Sequence, residues 1–136
     1  MIENLLFGKT ANILEKGLDT AALRNQVLSE NLANVDTPGY KRFEVMFEAE
    51  LSKARQQNRL KVTITHERHI PIGSKNGLTA EPKVVRSDDS SMRNDGNNVD
   101  IDREMAALAK NTLVYGAIAQ ELNGEFQKLK MAINGR

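Results

Sequence analysis

Cysteine is absent from the 136 residues, which excludes a disulfide framework, a thiol nucleophile and a thiolate metal site in any compartment. With no Trp, four Phe and two Tyr, the length suits one domain with a modest core. A charge imbalance is missing as well. Nineteen Lys and Arg stand against 18 Asp and Glu, spread along the chain, so there is no basic footprint for neutralising many phosphates, and nucleic-acid binding is demoted. Long apolar runs are also lacking. The first ten residues carry Glu3 where a secretory signal wants basic residues, and their apolar stretch is Leu5, Leu6 and Phe7 alone. The expectation is therefore neither a cleaved signal nor a membrane-spanning helix. An exported chain of this kind would need another route.

Proline is confined to Pro38, Pro71 and Pro82, which leaves two long terminal segments free to be uninterrupted helices. Stepping alternately four and three residues from Leu14 gives Leu18, Ala21, Asn25, Leu28, Leu32 and Val35, six apolar of seven, against about three for 40% hydrophobic composition. From Ile101 the same stepping gives Met105, Leu108, Thr112, Tyr115, Ala119, Leu122, Phe126, Leu129 and Ile133, nine apolar of ten. Asp100 suits the N-cap of this second helix, Asp102 and Glu104 its first turn, and Lys128, Lys130 and Arg136 gather near Gly135 at its other end. A helix of about 35 residues rises roughly 50 Å, more than a compact domain this small needs. It should pack lengthwise on a partner, first of all the N-terminal helix.

The middle reads differently. Phe43, Met46, Phe47, Leu51 and Ala54 fit a short amphipathic helix, and Leu60, Val62, Ile64 and His66 alternate with polar residues as a strand does. Ser87 to Asn98 is Ser, Asp, Asn and Gly with only Met92 to bury, a loop that orders against something else. The fold class expected is mainly α: long N- and C-terminal helices paired as an antiparallel coiled coil, with a small irregular or β middle. The segments are 1–9 (short and amphipathic), 10–36 (first helix), 37–99 (middle) and 100–134 (second helix).

Motifs for chemistry do not survive inspection. His66-Glu67-Arg68-His69 spaces its histidines three apart, whereas helical zinc motifs space them four apart. Aligning Gly96 to the invariant glycine of a calcium loop puts Ser91 and Arg93 where acidic or amide ligands belong. No phosphate loop, serine elbow or nucleophile–base pair is visible, so no catalytic residue, cofactor or metal is expected and the chain is not read as an enzyme. Ala109, Gly116, Ala117 and Gly124 lie beside the apolar stripe and would let another backbone approach closely.

At the end of the first helix stands Asn31-Leu32-Ala33-Asn34-Val35-Asp36-Thr37-Pro38-Gly39-Tyr40-Lys41. Physically it is a helix stop: Pro38 disfavours helical geometry at Thr37, Gly39 permits a turn, and Asn34 or Asp36 can satisfy freed backbone groups. It closely resembles the N-terminal signature of the flagellar rod and hook axial family, Asn-x-Ala-Asn-x-x-Thr-x-Gly-Tyr-Lys. The stretch Gly96-Asn97-Asn98-Val99-Asp100-Ile101-Asp102-Arg103-Glu104-Met105, running on to Asn111 and Tyr115, resembles the short proximal-rod members of that family.

The resemblance implies a structural subunit of the proximal rod of the flagellar basal body, exported by the flagellar type III system. It would link the MS ring and export gate region to the rest of the rod and transmit torque. Its partners would be further copies, the rod proteins FlgC, FlgF and FliE, the MS-ring protein FliF and the export apparatus, with no nucleic acid and no small-molecule substrate. The assembly helices would act through Leu14, Leu18, Ala21, Leu28 and Leu32, and through Ile101, Met105, Leu108, Tyr115, Leu122, Phe126, Leu129 and Ile133. Ile2, Leu5, Leu6 and Phe7 would meet the MS ring or its adaptor. The competing reading is a non-flagellar coiled-coil adaptor that binds partner helices.

Overall fold

In the computed structural model the described residues are 8–57, 80–91 and 93–135. They form α1 (Lys9–Ala33), β1 (Phe43–Met46), α2 (Glu48–Gln57), β2 (Lys83–Arg86) and α3 (Ile101–Asn134), in that order. The strand and histidine pair expected between residues 60 and 69, Met92, and the N-terminal Ile2, Leu5, Leu6 and Phe7 lie outside the described residues. The chain divides into two compact units, Met1–Val45 with Val84–Arg136, and Met46–Lys83.

The first unit is built on two long helices. Their 25 and 34 residues correspond to lengths of roughly 37 and 51 Å. Asn31 contacts Glu104, Asn25 contacts Asn111, and Gly17 lies against Ile118, so the helices run antiparallel. On that register Lys9 falls opposite the neighbourhood of Phe126, and the last two turns of α3 have no α1 residue across from them.

The helix ends follow from the sequence. Asp100 accepts from the Asp102 and Arg103 amides at 3.0 and 3.3 Å, and Gly135 closes α3 at φ 67°. No basic residue occupies the last turn of α3, so the cap there is conformational. α1 stops at Ala33, three residues short of the expected end, because Asn34 turns out of the helix and its amide reaches back to the Glu30 and Asn31 carbonyls.

Phe43 and Met46 belong to a strand, not to the amphipathic helix expected from Phe43 to Ala54, which begins only at Glu48. The Phe43 amide and carbonyl are both held by the Asn31 side chain, so neither is free for a helical bond. The strand buries Val45 between exposed Glu44 and Met46. β1 and β2 form a two-stranded sheet, and the Ser87 amide donating to the Arg42 carbonyl sets an antiparallel register. In the second unit Phe47 and Ala80 are buried, and α2 carries a Glu50–Lys53 pair at 3.0 Å.

Close helix approach occurs at Gly17, where an added Cβ would stand 3.3 Å from Ile118 Cδ1. Around Gly116 and Gly124 nothing lies within 4 Å of such a Cβ. Gly17→Leu should therefore overpack the helix pair and cost about 1–3 kcal/mol. Gly116→Ala should instead gain up to about 1 kcal/mol of helix propensity. Urea unfolding followed by circular dichroism checks both signs.

Candidate functional site

The family-like turn after α1 and the stretch before α3 meet in one polar clasp. Asn31, fully buried, sits in the last turn of α1. Its Nδ2 donates to the Phe43 carbonyl at 2.9 Å and to Glu104 Oε2 at 3.0 Å. Its Oδ1 accepts from the Phe43 amide at 2.9 Å and from the Tyr40 hydroxyl at 3.3 Å. All the hydrogen-bonding capacity of a side-chain amide is used, two donors and two acceptors, which no other residue of this size supplies.

Glu104 is 2% exposed at the start of α3. Its second oxygen accepts from Arg42 Nη1 at 3.4 Å, and Arg42 Nη2 donates to Asp89 at 3.1 Å and to Glu44. A buried ion pair of this kind adds little net stability against an apolar substitute, but losing either partner strands a charge. Arg42 Nε is buried with no partner among the described residues.

Asn97, 1% exposed, closes the other side. Its Nδ2 lies 2.9, 2.9 and 3.0 Å from the carbonyls of Asn34, Val35 and Thr37, in the turn that follows α1. Its Oδ1 accepts from the Val99 amide at 2.7 Å. Asn98 Oδ1 takes the Arg42 amide at 2.8 Å, and its Nδ2 reaches the Ser87 and Asp89 carbonyls at 3.2 Å each. Gly39, at φ 73°, donates to the Asp95 carbonyl at 2.8 Å. Gly96, at φ 77°, comes so close to Gly39 that a Cβ on it would lie 3.8 Å from the Gly39 Cα. Both turns need the left-handed backbone that glycine adopts freely. The loop of Ser87 to Asn98 thus orders against the turn after α1.

Electrostatics of the clasp follow its burial. Burial, with Glu30 and Glu104 nearby, pushes the Tyr40 phenol above its ordinary range. The Asn97 amide, with Arg93 beside it, holds Asp95 below the usual carboxylate range, and Ser87 and Arg42 do the same for Asp89.

Of the motif residues, Asn31 is buried, Asn34, Tyr40 and Lys41 are half-buried, and Ala33, Thr37, Pro38 and Gly39 are exposed. Asn34 Nδ2 donates to the Glu30 carbonyl and its Oδ1 accepts from Thr37 Oγ1. Of the stripe residues on α1, Ala21 and Leu28 are buried and Leu14, Leu18 and Leu32 half-buried. On α3, Leu108 and Leu122 are half-buried, while Ile101, Met105, Tyr115, Phe126, Leu129 and Ile133 are exposed, Ile133 to 81%. The side of α3 that meets α1 instead buries Glu104 and Asn111. Asn111 Nδ2 bonds the Ala21 carbonyl and Asn25 Oδ1 at 2.8 Å each, and its Oδ1 is without a partner among the described residues. Asn111 stands seven residues after Glu104 and seven before Ile118, a heptad row that could have been read from the sequence. Among the described residues no group of three His, Asp or Glu is placed to hold a metal ion, and no helix is long and apolar enough to cross a membrane.

Residues 12–41, α1 and the turn that Asn97 caps, match the family described as flagella basal body rod protein. The chain is 36% identical over 130 residues to flagellar basal body rod protein FlgB of Bacillus subtilis, covering 96% of this chain and 97% of that protein. It is 40% identical to FlgB of Borreliella burgdorferi over 80% of this chain and 84% of the relative. Against FlgB of Escherichia coli K12 the figures are 36%, 83% and 84%.

Replacing Asn97 with Ala should take the shared donor from the turn carbonyls of Asn34, Val35 and Thr37 and deprive the buried Val99 amide of its acceptor, at a cost of about 1–3 kcal/mol in urea unfolding. Asn31→Asp should cost more, since it removes two donors and sets a second carboxylate against Glu104. A third expectation concerns alkali. Because the folded Tyr40 pKa lies above the unfolded value, its contribution is intact below pH 10.0 and lost as pH rises through the folded value. In a Tyr115→Phe variant, phenolate absorbance should titrate with a midpoint above 10.0, and a midpoint at the ordinary value would show Tyr40 to be unburied.

Proposed function

Because the chain belongs to the FlgB family of flagellar basal body rod proteins, which are structural subunits and not enzymes, we propose that it polymerises through its terminal helices at the membrane-proximal end of the rod. In this reading it joins the MS ring and export gate region to the rest of the rod and transmits torque. Its neighbours are further copies and the rod proteins FlgC, FlgF and FliE, with the MS-ring protein FliF at the base. Ile2, Leu5, Leu6 and Phe7 make the contact with the ring or its adaptor. The chain reaches the periplasmic rod through the flagellar type III apparatus without a cleaved signal, folding as it assembles.

The observation that carries this reading is the inverted polarity of α3. Its side toward α1 buries a glutamate and an asparagine, while Met105 and Phe126 are 50% and 44% exposed. Such an arrangement makes sense when other subunits cover the apolar side. The paired helices then form the inner tube, and subunits related by a rotation that does not close extend it. The turn from Asn34 to Lys41 sets where the chain leaves the tube, so Pro38 and Gly39 act through geometry. A coiled-coil adaptor outside the flagellum is not favoured by the family.

The test is mass spectrometry of purified basal bodies from the wild type and from a strain carrying Phe126→Asp and Ile133→Asp, positions 44% and 81% exposed. The wild-type chain should be present, and the variant should be exported yet at least about tenfold depleted from the rod. A wild-type chain absent from basal bodies would overturn the rod assignment, and full incorporation of the variant would overturn the role of the α3 apolar side.

A further inference from the structure

Two helix surfaces of opposite charge face away from each other on the same chain. Among the described residues, every exposed charged side chain of α1 is acidic: Glu15, Asp19 and Glu30. The cations of α1 with described side chains are engaged, Arg24 donating to the Val45 carbonyl and Lys16 having a partner of its own. Glu15 and Asp19 share their side of α1 with the small exposed residue Ala22.

On α3, exposed Lys110 and Lys128 stand eighteen residues apart, five full turns, and therefore on one side of the helix. Arg103, seven residues before Lys110, joins that side, as does small, exposed Ala117. Two carboxylates stand with them, Glu121 and Glu125, the latter paired with Lys128 at 2.8 Å, whereas Lys110 has no ion-pair partner among the described residues. This side is distinct from the apolar one of Met105 and Phe126. The distances along the two helices agree. Glu15 and Glu30 are about 22 Å apart along α1, and Lys110 and Lys128 about 27 Å along α3.

Resting on the reading of the chain as a rod subunit, we infer that the acidic outer side of α1 in one copy lies antiparallel along the Lys110–Lys128 side of α3 in the next. The occupant is a second copy because one chain carries both halves of a complementary pair that cannot meet within it. Glu30 then falls within about a turn of Lys110, and Glu15 of Lys128. Ala22 and Ala117 lie between, where small side chains let the helices approach to about 8–10 Å. The contact is head-to-tail, with different surfaces on the two partners, so it continues from copy to copy instead of closing as a two-fold dimer. Complementary charge sets register and suppresses wrong pairings more than it adds affinity, which leaves the apolar side of α3 to supply burial.

Charge exchange tests the assignment. One strain carries Glu15→Lys with Glu30→Lys, a second Lys110→Glu with Lys128→Glu, and a third all four. All four positions are exposed, and circular dichroism should show unchanged helix content. Incorporation into basal bodies should fall about tenfold in each of the first two and return to within about twofold of wild type in the third. A four-fold variant no better than its parents, or parents that incorporate normally, overturns the pairing. A second measurement uses the absence of cysteine: basal bodies holding an Ala22→Cys, Ala117→Cys chain should give a disulfide-linked ladder on oxidation, whereas either single variant should stay monomeric. Lack of a ladder in rods that contain the chain also overturns the pairing. Absence of the wild-type chain from the same basal bodies would instead remove the rod reading beneath it.

Discussion

The turn that ends α1 presents backbone carbonyl groups inside a folded unit, where they draw donors, and the rest of the first unit is arranged around that turn. The one donor that three of these carbonyls share comes from far along the chain. Asn97 reaches the carbonyls of Asn34, Val35 and Thr37, some sixty residues away in sequence. Once Asn97 is seated, Val99 is buried and Asp100 is in place to cap α3. Asn31 and Glu104 then fall within bonding distance and set the register for both helices. The clasp is therefore a single physical object made of two segments distant in sequence, the turn at the end of the family match and the stretch before α3.

Its interior is polar to an unusual degree. Thr20, Asn31, Arg42, Asn97, Glu104 and Asn111 are all buried, against eight buried apolar residues among those described. Satisfied polar groups contribute only about 1 kcal/mol each, whereas apolar burial supplies most of folding. Such a seam specifies one alignment more than it stabilises it, as single polar residues do in coiled coils. The apolar surface that would have stabilised the lone chain is on the outside of α3, available to neighbours. Polarity inside and apolarity outside are two aspects of one allocation.

Much of this was legible in the sequence and some was not. The bounds of α3 followed from Asp100 and Gly135, and the absence of proline from both ends allowed the two long helices. The turn at Pro38 and Gly39 was readable as a stop, but not the stop at Ala33, which depends on Asn34 leaving the helix early. The apolar stripe on α3 gave its breadth without saying which edge meets α1. Glu104 and Asn111 are polar, and hydrophobic periodicity assigns polar residues to solvent. Arg42 and Asn98 were invisible as partners because hydrogen bonds spanning 56 and 62 residues leave no local periodicity. The strand at Phe43 is not legible as a strand for the same reason: the Phe43 amide and carbonyl are held by the Asn31 side chain, not by their own neighbours.

Among the described residues, the side-chain hydrogen bonds that join the antiparallel pair gather toward one end. Asn31, Asn97 and Glu104 cluster where α1 stops and α3 starts, while the opposite end carries the overhang of α3 beyond Lys9. Opening of the pair away from the clasp breaks the fewest of the long-range hydrogen bonds among the described residues. The turns of α3 around Ile118 can thus part from α1 and return without disturbing the clasp. An arm hinged on a fixed base can search for its seat while the base keeps its orientation.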